Sequence, residues 1–332
     1  MLRAGEKERG ITMELSKCGI GSCLASGLIA LALSPNLSAQ SGSVSSRSVP
    51  LRADVKMILV PVTVTDHKGV TVNGLGRESF NILDNKVPQK IVSFSNEDVP
   101  CSVGLVLDLS GSMRNALKSA KEALVNFLGT ANPQDEFLLL GITTKPLIYP
   151  VGTFQDVGDF TSDTATIQNS IQLAPPGGST ALVDTIYVGL NKMRSARNPR
   201  RALVIVTDGM DNHSRYSRDE LIRRAEEADV QIYTIGLDTI PREKKGIQQL
   251  EQRRAMNFLE ELAERTGGVN FTIQNRQEAS AAAARAGAAI RSQYVIGFQP
   301  QDPDSSGKWH KVQVKLDRDR AKVYARSGYY AR

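Results

Sequence analysis

From Cys101 to Gln293, short apolar runs alternate with segments whose apolar residues recur every three or four positions. No other feature constrains the fold as much. Strands separated by helices pair in parallel, and a parallel sheet needs helices on both faces. The strand-like runs are "CSVGLVLDL", "EFLLLGITT", "RALVIVTDG", "QIYTIGL" and "VNFTI". Between them, Met113, Ala116, Leu117, Ala120, Ala123, Leu124, Phe127 and Leu128 form one helical stripe. Leu182, Ile186, Leu190 and Met193 form a second. "SRDELIRRAEEADV" opens on Ser217 with Glu220 three residues on, a capping box that predicts a helix start. A helix over "GIQQLEQRRAMNFLEELAERT" is expected to stop at Gly267 and Gly268. The alanine-rich "EASAAAARAGAAIRSQ" supplies the last one.

The flanks carry strand signals instead. Before the alternating region come "VKMILVPVTVTD", a turn at Gly69, and "SFNILDNKVPQKIVSFS", read as two short strands around Asp84 and Asn85. After it come "YVIGFQP", "WHKVQVKLD" and "AKVYARSGYY". Neither flank has enough strands to close a core alone, so about three from each end are expected to combine. The expected fold class is α/β: a doubly wound, mainly parallel sheet inserted into a small β-sandwich-like domain built from both chain ends. The expected boundaries are 51–100 for the first β segment, 101–292 for the α/β domain and 293–332 for the second β segment, pairing with the first.

Residues 1–39 read as an export signal. Basic residues up to Lys17 precede the apolar "CGIGSCLASGLIALALS", and "NLSAQ" offers a small-residue cleavage site after Ala39. Met1 and Met13 both remain eligible starts, since Lys17 alone would supply a positive flank. A polar linker follows over 40–50. No other apolar run approaches the ~20 residues of a spanning helix. The expected location is therefore periplasmic or extracellular, with no stable membrane span after cleavage. Cys18 and Cys23 fall inside the signal, leaving Cys101 as a lone, small, buried apolar residue. The net charge of +6 is dispersed, apart from a stretch around Arg194, Arg197, Arg200 and Arg201 read as solvated surface. Aromatics at 5% give little for nucleic acid to stack on, and no nucleic-acid partner is expected.

In open parallel sheets, ligands collect at the carboxyl ends of strands, where strand order switches. Three segments bring oxygens to such an edge. The first is Asp108, Ser110 and Ser112 in "DLSGS"; the second is "PPGGST", with Gly177, Gly178, Ser179 and Thr180; the third is "TDGMDN", with Asp208 and Asp211. Each has an ordinary explanation singly, as a helix cap, a turn or a loop start. Their coincidence at strand ends points to a hard cation, since zinc and copper favour nitrogen or sulfur. Magnesium keeps several waters and takes one or two carboxylates, which matches this count better than calcium's crowded shell. His67, His213 and His310 are far apart, and His213, alone near the site, reads as a solvated loop residue.

"DLSGS", "GGST" and "TDG", in this order, resemble the signature of von Willebrand factor type A domains over roughly residues 101–290. That resemblance implies a doubly wound sheet and a metal-ion-dependent adhesion site. Asp108, Ser110, Ser112, Thr180 and Asp208 would then hold Mg2+ or Mn2+. Ser179 is the alternative to Thr180, which keeps the family's residue type and its spacing to "ALVD". Ser179, Asp211, Gly111 and Gly178 would support the ligands from behind. The flanks "VPVTVTDHKGVTVNGLGRESFNILDNKVPQKIVSF" and "RSQYVIGFQP" resemble the exported proteins related to this family in Acidobacteria.

Such a site implies an exported module that grips a protein partner through an Asp or Glu carboxylate; a glycan is a weaker fit. A structural or assembly component of the cell envelope is the alternative. A metal-assisted hydrolase is a further one, but no paired catalytic motif accompanies the serines, so no enzyme activity is expected.

Overall fold

The computed structural model describes residues 57–149, 160–238, 246–301, 306–317 and 321–331. The expected signal and linker, 1–50, lie outside the described residues. The chain enters on β1 (Ile58–Thr65), β2 (Phe80–Asp84), β3 (Val87–Gln89) and β4 (Ile91–Ser95). It continues through β5 (Cys101–Asp108), α1 (Leu117–Leu128), β6 (Glu136–Ile142), β7 (Leu147–Ile148), α2 (Thr164–Leu173) and α3 (Leu182–Lys192). Next come β8 (Arg200–Thr207), α4 (Arg218–Ala228), β9 (Gln231–Leu237), α5 (Ile247–Thr266), β10 (Asn270–Ile273) and α6 (Ala279–Arg291). It closes on β11 (Tyr294–Phe298), β12 (Trp309–Leu316), β13 (Lys322–Ala325) and β14 (Gly328–Tyr330).

The central sheet has the order β10-β9-β8-β5-β6-β7, parallel except for β7. All eight residues of β5 are buried, as a strand covered on both faces requires. Val103, Leu105 and Leu107 pack with α1, α2 and α6, while Val106 faces the side of α3, α4 and α5. The doubly wound architecture read from the alternating pattern is present. Ser217 forms the capping box with Glu220, and α5 ends on Gly267 at φ +79. Such a backbone suits glycine.

Two four-stranded antiparallel sheets, β13-β1-β11-β4 and β14-β12-β2-β3, mix strands from both flanks around one apolar core. Val60, Val62, Val64, Tyr294, Ile296 and Phe298 line it from one sheet, and Phe80, Ile82 and Val312 from the other. "SFNILDNKVPQKIVSFS" yields three strands instead of two, because Asn85 and Lys86, both at positive φ, turn β2 tightly into β3. "AKVYARSGYY" splits into β13 and β14. Its Ser327 N–H donates to the Arg265 carbonyl at the end of α5, and the two halves join different sheets. β7 and α2 had no sequence-based expectation. Among the described residues, no helix is long and apolar enough to cross a membrane.

Arg200 corrects the reading of its stretch as solvated surface. It is only 8% exposed, and its guanidinium donates to the carbonyls of Ile290 and Glu97, each at 3.1 Å. His310 lies in the β region with Nδ1 3.0 Å from Asp84 Oδ1. Cys101 is buried, as its lone apolar reading anticipates.

Candidate metal centre

The chain leaves β5 for β6 on one side and returns to β8 on the other, so strand order reverses between β5 and β8. Loops that diverge in this way open a crevice at the carboxyl edge. Asp108 closes β5 and Asp208 follows β8, and both are fully buried.

Hydrogen bonds tie the three loops together. Gly177 N–H donates to the Leu109 carbonyl at 2.8 Å and Gly111 N–H to the Gly178 carbonyl at 3.3 Å, joining the first loop to the second. The Thr207 hydroxyl donates to Asp108 Oδ2 at 2.6 Å, joining the third to the first. Thr180 N–H donates to Asn212 Oδ1 at 2.9 Å, and the Asn212 and His213 amides both donate to the Thr180 carbonyl at 3.1 Å. Gly178 makes the second loop fit. At φ +89, any Cβ it carried would lie 2.8 Å from Thr144 Oγ1, which accepts the Ser179 amide.

The oxygens themselves are unevenly satisfied. Asp108 Oδ1 accepts from Ser110 N–H at 2.9 Å, and the hydroxyls of Ser110 and Ser112 are 3.0 Å apart. Asp208 Oδ1 accepts from Met210 N–H at 3.1 Å, but its Oδ2 is buried with no hydrogen-bond partner. Burial pushes Asp108 up to about 6, and the neighbouring Asp208 adds to this against the hydrogen bonds from Ser110 and Thr207. Burial raises Asp208 as well, opposed by the Ser112 hydroxyl and the Met210 amide. Among the described residues, no cationic side chain forms an ion pair with either carboxylate.

A buried, unpaired carboxylate oxygen is costly, and a cation is the kind of group that offsets it. The donors at hand are two carboxylates and neutral hydroxyls, which suit a hard ion. Among the described residues, no group of three or more His, Cys, Asp or Glu could hold a metal. Two carboxylates with neutral hydroxyls are a donor set of the kind a hard divalent cation takes.

The structure brings Asp108, Ser110, Ser112, Thr180 and Asp208 to one edge. Of the two second-loop candidates, Thr180 is 2% exposed and held between loops, whereas Ser179 is half-buried. Asp211 turns its carboxylate to backbone, accepting from the amides of Val183, His213 and Ser214. His213 is exposed. Sequence reasoning missed Thr207, Asn212, Thr144 and Gln252. Thr207 and Asn212 are the first and last residues of "TDGMDN", a segment already singled out. Gln252 is 44 positions from Asp208, yet its Nε2 donates to the Asp208 carbonyl at 3.0 Å. Nothing local to "GIQQLEQ" signals that.

Three comparisons with known proteins accompany this geometry. The sequence profile of the von Willebrand factor type A domain matches residues 102–285, more than half of the chain. A curated but uncharacterized protein from Borreliella burgdorferi is 23% identical over 187 residues, 52% of this chain and 53% of the relative. The match thus spans about half the length of that relative. Among solved structures, an aerotolerance-related membrane protein from Bacteroides fragilis is 18% identical with a TM-score of 0.44, over 57% of this chain and 98% of that one. The von Willebrand factor domain of a type V pili tip protein from Porphyromonas gingivalis is 16% identical with a TM-score of 0.46, over 58% and 95%. A von Willebrand factor type A protein from Catenulispora acidiphila is 14% identical with a TM-score of 0.46, over 85% and 64%.

Proposed function

The chain belongs to the von Willebrand factor type A domain family, and from that premise we propose that it is an exported, divalent-ion-dependent protein-binding module. The observation that carries this reading is the buried, unpartnered Oδ2 of Asp208 beside the equally buried Asp108. Asp108, Ser110, Ser112, Thr180 and Asp208 would hold Mg2+ or Mn2+. When bound, the ion supplies a Lewis-acidic centre that attracts an anionic oxygen, here an Asp or Glu carboxylate of the partner.

The protein's own residues prepare that role. Thr207 and the Ser110 amide fix the orientation of Asp108. Only two of the five donors carry charge, so the cup does not neutralise a divalent cation to excess. Ser112, exposed, marks the side that a partner reaches. Large apolar residues frame the same edge: Leu173 ends α2 ahead of the second loop, and Ile247 and Leu250 open α5; they are 81%, 77% and 50% exposed. Exposed apolar groups around a charged centre are what a protein interface uses.

We read the module as a binder rather than an enzyme. Its serine hydroxyls face one another, and among the described residues no histidine is hydrogen-bonded to them. An assembly role is the second reading. It is favoured by edge strands β3 and β4, which present Val87 and Val92 at 47% and 42% exposure. Capture from an envelope fraction, in magnesium against a chelator, tests the first reading. Binding should vanish in chelator and in the Asp108→Ala, Ser110→Ala double variant. Full-affinity binding by that variant overturns it. A stable oligomer indifferent to metal on size exclusion supports the second reading.

A further inference from the structure

A cleft of about 380 Å3 opens beside the site. It lies between α5, which contributes Gln249, Gln252, Arg253 and Asn257, and the carboxyl ends of β9 and β10, where Asp238 and Gln274 stand. Gln252 is common to the cleft and the metal centre, since its Nε2 donates to the Asp208 carbonyl. That bond fixes the amide's orientation, because the flipped form would set two carbonyl oxygens against each other. Gln252 Oε1 is then left buried without a hydrogen-bond partner, in a residue only 3% exposed.

A buried orphan of this kind marks a place where a polar group belongs. The orphan is an acceptor, so it calls for a donor. The rest of the lining carries both signs: Asp238 accepts, Arg253 donates, and the amides of Gln249 and Asn257 do either. A lone ammonium gains at Asp238 what it loses at Arg253, and a lone carboxylate the reverse, whereas a neutral group loses at neither. A carboxamide, which donates and accepts without net charge, suits the polar groups named here, with Met256 as the apolar part of the wall.

We propose that this cleft binds a carboxamide of the partner, next to the carboxylate taken by the metal centre. The inference rests on the reading of that centre as a carboxylate receptor. Gln252 joins the two, lining the cleft while its Nε2 holds the Asp208 main chain, so the amide comes from a residue close in sequence to the carboxylate. A side-chain amide there would let the module discriminate among acidic partners by the residue flanking the acid.

The test is an NMR titration of the full chain, reading the backbone amides of Gln249 and Arg253. Acetamide stands for an Asn or Gln side chain and N-methylacetamide for a peptide bond. Saturable shifts with acetamide alone assign the site to a side-chain carboxamide, and saturation with both assigns it to main chain. Gln252→Met, which keeps length and volume, should abolish the saturable shifts. Asn257→Leu, on the exposed side of α5, should weaken them if Gln252→Met fails to fold. Shifts that rise linearly with concentration, or that survive either substitution unchanged, overturn the proposal. The titration is run in magnesium and in chelator. Gln252 is held by protein alone, so amide saturation is expected in both. Failure of ion uptake therefore strikes the metal reading, whereas failure of amide saturation strikes the cleft.

Discussion

Asp108 holds its carboxyl near 6 when folded against an ordinary value of 3.8. The folded chain therefore binds that proton more tightly than the unfolded one, and stability contributed here falls as pH rises between about 4 and 6. In chelator at pH 7, Asp108→Asn should be more stable than the parent by on the order of 2–3 kcal/mol, with the gap closing toward pH 4. Denaturant unfolding at the two pH values checks this, and a parent as stable as the variant at pH 7 contradicts it. Thr207 acts one step back, by orienting Asp108 Oδ2. Thr207→Val keeps the shape and removes the donor, and should weaken magnesium binding by about 10–100-fold, as loss of an orienting partner does. Calorimetric affinities of the two proteins decide it. The carboxylates and hydroxyls were legible in the sequence because small oxygen-bearing residues at the ends of apolar strands have little structural reason to recur. Thr207 and Gln252 were not, because their partners sit 99 and 44 positions away.

Elements were legible in proportion to how much of their stability is local. The capping box at Ser217 and the glycine stop of α5 satisfy backbone groups within a few residues, and both are where the sequence puts them. α2 buries only Ile167 and Ile171 along ten residues, too thin a stripe to stand out from its polar neighbours. β7 has two residues and exists by pairing with Leu140 and Gly141 of β6. The same contrast governs the loop that carries Thr180. Gly178 occupies a backbone conformation that disfavours side chains, with Thr144 pressed against it. Gly178→Ala should cost about 1 kcal/mol or more through backbone strain. It should also loosen the loop, so that magnesium affinity falls together with the melting temperature. Unchanged affinity would mean that the second loop does not help to form the centre.

At the scale of the whole molecule, both flanks enter one β core, and Arg200 pins the two passages between that core and the α/β sheet. Its guanidinium holds the Glu97 carbonyl just before β5 and the Ile290 carbonyl near the end of α6. Arg200→Met would leave the buried Ile290 carbonyl without its donor and should cost about 1–3 kcal/mol, seen as a lower denaturant midpoint with the slope retained. A surface-like effect near zero would contradict the buried role. The sequence could not disclose it, since Arg200 stands among three other arginines within eight positions and only the return of the distant α6 buries it. The central claim is the convergence of Asp108 and Asp208 on one cation, and titration calorimetry of Mg2+ and Mn2+ into the folded chain tests it most directly. A single saturable site in the parent, lost in a folded Asp208→Asn variant, is the predicted result; no uptake by the parent, or undiminished uptake by the variant, would contradict it.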